Sequence, residues 1–482
     1  MWFRQRLRAK VGGHSLEDAR LLADETPEHD DWLDDRTVDD LELGSVFTAI
    51  DRTHTTTGAQ VLWRWLRAPL QSAAALAARE AALAKIDPAR VGHAIGVMPD
   101  VNAALLPRLL WRDAPPPISG PLIAALLSAL IASAIASFWW PPAVFATCAI
   151  FIANVLVDDW AKLRLASASE ALAVLGGALS RSAKLATAFP ELAEAIRADL
   201  AVPPRLQRLI AALTVSDPLE LTNFVRAGFL LRLMLTRKCL RIVETERACL
   251  RRIVEWFGEI DALSSIALLR EERATSIPEI IEGPRNLDAH DLVHPAVPDC
   301  VGNDVALTES GLLITGSNMS GKSTFLRTIA INAILAQSIH TTFGAWRASP
   351  LHVRAVMRIE DVLENGMSTY AVEVAAMHEL VDDPHTCLFV IDEPFHGTNP
   401  AVRVPIIVAV LEYLVGRGLV VTATHDLDVA HQLDDRFARG YFEERDGDFD
   451  RKLRAGIAPA SNAIEILRRA GYPDAIMARL HQ

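Results

Sequence analysis

Nine residues, Gly316-Ser317-Asn318-Met319-Ser320-Gly321-Lys322-Ser323-Thr324, have the types and spacing to hold a polyphosphate. They fit G-x-x-x-x-G-K-[ST], in which backbone N–H groups wrap the phosphates, the lysine reaches the outer ones and the Ser323 hydroxyl holds Mg²⁺. Downstream, the apolar run Cys387-Leu388-Phe389-Val390-Ile391 ends in Asp392-Glu393. Two adjacent carboxylates at a strand end suit nucleotide hydrolysis: Asp392 for the metal shell, Glu393 to orient or deprotonate the attacking water. A third run, Gly418-Leu419-Val420-Val421-Thr422-Ala423, ends at Thr424-His425-Asp426, which puts His425 where a γ-phosphate sensor would stand. Between them, Asn365-Gly366-Met367-Ser368-Thr369-Tyr370 opens a helix with Val372, Ala375, Ala376 and Leu380 on its apolar side. Ser368 and the free N–H groups there offer an anion site with which one subunit could complete its partner's. The expected cofactors are ATP and Mg²⁺. The expected site is Lys322, Glu393 and His425 for catalysis, the loop 316–324 with Ser368 for the nucleotide, and Ser323 with Asp392 for the metal.

These groups need elements to carry them. Gly311-Leu312-Leu313-Ile314-Thr315 reads as a buried strand entering the loop, and Phe325-Leu326-Arg327-Thr328-Ile329 begins a helix whose N-terminal dipole faces the phosphates. A chance glycine-rich turn would lack both flanks. At 482 residues the chain has room for about two to four domains. Its net charge of -12 argues against a protein that coats nucleic acid with a generally basic surface. The five cysteines lack C-x-x-C spacing and His companions, so free thiols in a reducing compartment and no structural zinc are expected. The amino terminus is basic but runs into polar sequence, with no secretory signal, which points to the cytosol.

Residues 1–45 read as an acidic, solvated lead-in, and residues 46–285 as helical, with breaks at Pro190, Pro203-Pro204 and Pro218 and a boundary near Gly283-Pro284. The basic series Arg226, Arg232, Arg237, Lys238, Arg241, Arg247, Arg251 and Arg252 reads as the solvated face of a long helix. Within the helical region, residues 118–157 contain no charged side chain and bend at Trp139-Trp140-Pro141-Pro142. The first arm could span a bilayer's hydrocarbon core at about 30 Å, and Trp111, Trp160 and the tryptophan pair sit where an interfacial belt would place them. The run favours a transmembrane hairpin with the rest of the chain on the cytosolic side; a buried hairpin at a subunit interface is the alternative.

The motifs in this order resemble the MutS family of ATPases, members of the ABC class best known from DNA mismatch repair. Thr315 to Thr324 is similar to the family's T-G-P-N-M-G-G-K-S-T, Ser368-Thr369-Tyr370 with Glu373 to S-T-F-x-x-E, and Asp392-Glu393 and Thr424-His425 to its Walker B and switch motifs. His294-Pro295, Asn303-Asp304, Gly456 and Ser461 to Pro473 resemble further landmarks, Thr55 to Leu70 resembles the start of the lever domain, and Asp261 to Ala267 its closing D-x-L-x-S-x-A. The resemblance implies α/β plus all-α architecture: an ABC-type ATPase domain over 286–482 and a helical core or lever domain over 46–285, interrupted by the apolar hairpin 118–157. It also implies a homodimer closing around two ATP molecules, levers moved by hydrolysis, and DNA as a partner. Departures qualify the DNA expectation: mismatch-reading and connector domains are missing before the lever, the hairpin stands where a DNA clamp belongs, and Pro394-Phe395-His396-Gly397-Thr398 replaces I-G-R-G-T. The competing expectation is a membrane-anchored mechanochemical ATPase acting on lipid or a membrane partner.

Overall fold

The computed structural model describes residues 12–26, 32–96, 105–112, 119–201, 204–214, 220–317, 320–357, 369–445 and 448–458. The chain divides into two compact units, residues 1–27, 52–64 and 86–265 and residues 28–51, 65–85 and 266–482. Many helices and two sheets make it a mixed α/β and all-α protein, in line with the expected class.

The first unit is helical among its described residues. Helix α1 (Thr56–Arg67) begins where Thr55 and Asp261 meet. The Asp261 carboxylate accepts from His54 N at 2.9 Å, Thr55 N at 2.8 Å and Thr55 Oγ1 at 2.6 Å, and Thr55 Oγ1 accepts from Gly58 N at 3.0 Å. One turn on, Ser265 Oγ accepts from Arg52 N at 2.8 Å. The D-x-L-x-S spacing thus puts two acceptors on one helical face to grip residues 52–55.

Helices α2 (Gly120–Trp139) and α3 (Ala143–Arg164) form the apolar hairpin, followed by α4 (Ala166–Ala188). At about 1.5 Å per residue α2 is roughly 30 Å long. The mean hydropathies of the most apolar windows of α2 and α3 are 2.2 and 1.6, and only 11% and 17% of those windows are buried. Phe138 is 84% exposed, Trp139 81% and Phe145 78%. Toward its base the hairpin is packed: Ile123, Ala161, Leu230 and Leu233 form a buried cluster with Leu126, Leu127, Val157 and Leu165 against it. There Asn154 Nδ2 donates to Gly228 O at 2.9 Å and Arg232 pairs with Asp158.

The basic series is not one solvated helical face. It spans α5 (Glu220–Gly228), α6 (Leu231–Thr245) and α7 (Arg247–Glu272), and several members bond within the unit: Arg232 to Asp158, Arg252 to Asp199 at 2.6 Å and Arg251 to Leu110 O at 2.7 Å.

The second unit carries both sheets. β1 (Glu279–Ile280), β2 (Asn286–Leu292), β3 (Asn303–Thr308) and β5 (Ala345–Ala348) make a four-stranded sheet in the order β1-β5-β2-β3. The other sheet is β10-β9-β4-β8-β7-β6, built from β4 (Gly311–Thr315), β6 (His352–Val356), β7 (Cys387–Asp392), β8 (Leu419–Thr424), β9 (Phe437–Arg445) and β10 (Asp448–Ala455). Strands β9, β4, β8, β7 and β6 are mutually parallel and β10 runs antiparallel. Every residue of β4, β7 and β8 is buried, as a parallel sheet covered on both faces requires. Helix α8 (Lys322–Ser338) is buried nearly all round, while α9 (Thr369–Asp382), α10 (Pro400–Val415) and α11 (Leu427–Gln432) pack into the core around Phe389, Leu411 and Val420.

Two further expectations need correction. The apolar side of α9 is Ala376, Met377 and Leu380 with Glu373 among them, and Ala375 is exposed. Part of the acidic lead-in is a packed element: in helix Asp35–Asp40, Thr37 Oγ1 accepts from Ala355 N at 3.1 Å and Asp40 Oδ2 from Met357 N at 2.9 Å. Strand β6 is the sheet's edge, and these side chains occupy backbone donors that would otherwise be open to another strand. Burial pushes the Asp40 carboxyl up despite the Met357 N–H.

Candidate nucleotide-binding site

Parallel register brings the expected chemistry to one sheet end. Thr315 aligns with Thr424, and Asp392 with Ala423, so the ends of β4, β8 and β7 lie side by side. This is the carboxyl end of a parallel sheet, where open α/β sheets place their ligands.

The loop leaves β4 at Gly316 (φ 148°) and enters α8 at Gly321 (φ 105°), backbone conformations that disfavour any side chain. A Cβ on Gly316 would lie 3.2 Å from both Phe442 O and Ser320 Oγ. Lys322 is the first residue of α8, so the helix begins three residues earlier than the periodicity suggested. Its buried ammonium donates to Gly316 O at 2.7 Å and Ser317 O at 2.9 Å and lies 3.9 Å from Glu393 Oε1. Burial holds its pKa below the usual lysine range, against the pull of Glu393 and Asp392.

Across the cleft, Asp392 and Glu393 are 4% and 8% exposed. Burial raises the Asp392 carboxyl, and a hydrogen bond from the Ser323 hydroxyl opposes that rise. Glu393 turns out of the strand at a left-handed φ of 50°, with its N–H held by Ala423 O at 2.9 Å. Few non-glycine residues adopt this conformation, and here the carboxylate meets His425 and Lys322. Burial works to raise Glu393, but the hydrogen bond and charge of His425, together with Lys322, hold it below the usual carboxylate range. The same bond, from His425 Nδ1 to Glu393 Oε2, raises the imidazole above its ordinary value.

Lys322, Ser323, Asp392 and Glu393 line a cleft of about 360 Å³ together with Ser320, Thr324, Asn303, Phe442 and Arg451, and His425 is joined to it through Glu393. Three buried oxygens in it have no hydrogen-bond partner: Ser320 Oγ, Asp392 Oδ1 and Glu393 Oε1. Unpaired buried oxygens are costly, and a hard cation with its waters and a phosphate would satisfy them. The residues present therefore fit Mg²⁺ and a nucleotide.

Of the expected site, Gly316, Ser317, Ser320, Gly321, Lys322, Ser323, Thr324, Asp392, Glu393 and His425 fall at this end of the sheet. Asn318, Met319 and Ser368 lie outside the described residues, as do Ser461 to Pro473. Sequence reasoning missed Arg451 and Phe442, which reach the cleft from the β9–β10 hairpin. No motif marks them. It also missed the structural use of Glu373, whose Oε2 accepts from Gly397 N at 3.0 Å and ties α9 to the loop after β7.

Residues 312–482 match the family model for MutS domain V. This span takes in β4, the phosphate loop and the strands bearing Asp392, Glu393 and His425. These matches support a MutS-family protein. A DNA mismatch repair protein MutS from Natronomonas pharaonis is 33% identical over 260 residues, covering 50% of this chain and 29% of that relative. The Thermotoga petrophila MutS is 30% identical over 255 residues, covering 50% and 32%. An Endonuclease MutS2 from Thermus thermophilus is 28% identical over 242 residues, covering 47% and 32%. The chain thus spans less than a third of the length of these MutS-family relatives.

Proposed function

We propose that this chain is a MutS-type ATPase that binds and hydrolyses ATP in a dimer and couples turnover to movement of its helical domain on DNA, in a mismatch-repair-like role. The observation that carries the reading is the convergence of Lys322, Ser323, Asp392 and Glu393, the last bonded to His425, on one cleft with unpaired buried oxygens. Lys322 and the amides of residues 316–324 neutralise the phosphates, and Ser323 with Asp392 would hold Mg²⁺. That ion, when bound, supplies charge neutralisation between the outer phosphates. Glu393 orients and accepts a proton from the attacking water, while His425 holds Glu393 ionised and stands ready for the γ-phosphate. Ser368 would close the partner subunit's site. DNA comes from the relatives, whose names state DNA mismatch repair.

The test is steady-state ATPase activity with and without duplex DNA. Glu393→Gln should cut turnover by about 10²–10⁴ while ATP still binds. An unchanged rate would refute the role of Glu393, and turnover indifferent to any DNA would refute the repair reading.

A second reading rests on one observation. Core helices are mostly buried, yet the 18-residue windows of α2 and α3 are 11% and 17% buried and carry exposed Phe138, Trp139 and Phe145. In this reading the hairpin is a membrane anchor and the ATPase works on a membrane partner or lipid from the cytosolic side. Carbonate extraction of the intact chain beside a version lacking residues 118–157 decides it: a soluble intact protein excludes the anchor.

A further inference from the structure

The loop after β7 carries a group that the nucleotide chemistry does not use. His396 is exposed, and its ring stands edge-on to that of His425, centroids 5.6 Å apart at an interplanar angle of 69°. One ligand atom from each of Glu393, His396 and His425 lies within 4.8 Å of the others. We propose that these three residues form a site for a zinc-like transition-metal ion, bound by two imidazoles and one carboxylate with a fourth position open to water.

The donor set is that of open zinc centres, and it differs from the all-oxygen environment that Mg²⁺ prefers. With Zn–N and Zn–O bonds of about 2.0–2.1 Å, tetrahedral ligand atoms sit roughly 3.3 Å apart. The three groups therefore need to close by about 1.5 Å at most, and the exposed His396 ring can supply that by turning about its own torsions. The other two already meet, and the His425 ring would draw back by about 1 Å to admit the ion. His425 Nδ1 is hydrogen-bonded to Glu393 Oε2, and the ion would replace the proton between them.

The nearby cations are occupied elsewhere. Lys322 faces the other carboxylate oxygen, Oε1, and donates to Gly316 O and Ser317 O. Arg403, packed near His425, is paired with Asp426 at 2.6 Å. The loop itself is braced one residue beyond His396 by the bond from Gly397 N to Glu373.

Binding stands on this geometry alone; its consequence rests on the ATPase reading. An ion held by Glu393 and His425 removes both from the nucleotide, so zinc would arrest hydrolysis with Mg²⁺ and ATP still able to bind.

The experiment uses the full nucleotide-free chain, because ATP itself chelates zinc. Calorimetry with Zn²⁺ and visible absorption with Co²⁺ as the probe should show one ion bound at low coordination number. His396→Asn should weaken binding at least tenfold, while His378→Asn, an exposed histidine outside the cluster, should leave it unchanged. Equal affinity in wild type and His396→Asn, or no Co²⁺ band in either, overturns the site. In Mg²⁺-ATPase assays, each protein referred to its own zinc-free rate, inhibition should require at least tenfold more free Zn²⁺ in His396→Asn. If the protein shows no ATPase activity but the Co²⁺ spectrum and its loss in His396→Asn persist, the nucleotide reading fails and the metal site stands.

Discussion

Replacing Gly58 with Ala tests how the T-x-x-G segment Thr55–Gly58 is held, and two effects oppose each other in it. Alanine in a helix is worth up to about 1 kcal/mol over glycine, so propensity alone predicts stabilisation. The structure predicts the reverse. A Cβ on Gly58 would fall 2.2 Å from Asp261 Oδ2 and 2.6 Å from Cγ, and Asp261 is fully buried. The carboxylate has to retreat by about 1 Å to reach an ordinary contact, which stretches bonds of 2.6–2.9 Å from Thr55 and His54 past hydrogen-bond range. Losing one or two bonds to a charged acceptor costs about 1.5–3 kcal/mol each. After the propensity gain, a net loss of about 0.5–5 kcal/mol remains, or roughly 1–20 °C in Tm for a unit of this size. Thermal unfolding of the full chain measures it, and the same substitution should cost less in an Asp261→Ala background, where the carboxylate contacts are gone and only the Asp261 Cβ contact at 2.8 Å remains. A Tm raised or unchanged by Gly58→Ala, or an equal loss in both backgrounds, would refute the reasoning.

Other consequences are as direct. Lys322→Ala removes an ammonium that donates to Gly316 O and Ser317 O, so ATP affinity measured by calorimetry should fall roughly 10–100-fold with the fold intact. Glu80 is held below its ordinary value chiefly by its hydrogen bond with Arg270, against burial and with help from His340. A lowered carboxyl stabilises above its unfolded pKa, 4.5, and that contribution is lost as pH falls through the folded value. The Tm difference between wild type and Glu80→Gln should hold steady from pH 7 to about 5 and narrow below about 4.5; a gap that widens on acidification would reverse the sign. Thr37→Val removes the acceptor for Ala355 N on the edge strand and should cost about 1–3 kcal/mol, read as a lower Tm.

The phosphate loop and its two partner strands were legible because chemistry and buried parallel strands both leave dense local signals. Five or six consecutive apolar residues ending in Asp392-Glu393 or Thr424-His425 have few other readings, and the register shows why: their ends are neighbours. What stayed hidden depends on pairing across sequence distance. Thr37 and Asp40 look like a solvated acidic run until β6 is known to be an edge strand 317 or 318 residues away. Arg251 and Arg252 look like a basic face until Leu110 and Asp199 turn up opposite them. Arg451 reaches the cleft only because β10 folds back on β9, and no spacing in the sequence encodes that return.

The irregular features of the cleft also fit together. Glu393 holds a left-handed φ, Arg451 another at 54°, and Ser320, Asp392 and Glu393 each keep a buried oxygen unpaired. Backbone strain of this kind costs about 1–3 kcal/mol per residue, and each unpaired buried oxygen a similar amount. Strands β4, β7 and β8 are buried and paired in plain register, with Thr422 Oγ1 a further unpaired oxygen inside β8. Similar features occur elsewhere, as in the left-handed Leu230 and His340 and the unpaired Asn154 Oδ1 and Ser264 Oγ, but in the cleft three unpaired oxygens line one cavity that a ligand can enter. A polyanion with a divalent cation would relieve all three oxygens at once, whereas an apolar ligand would relieve none. The chemistry of those three oxygens therefore argues for a charged ligand such as a nucleotide, independently of any motif.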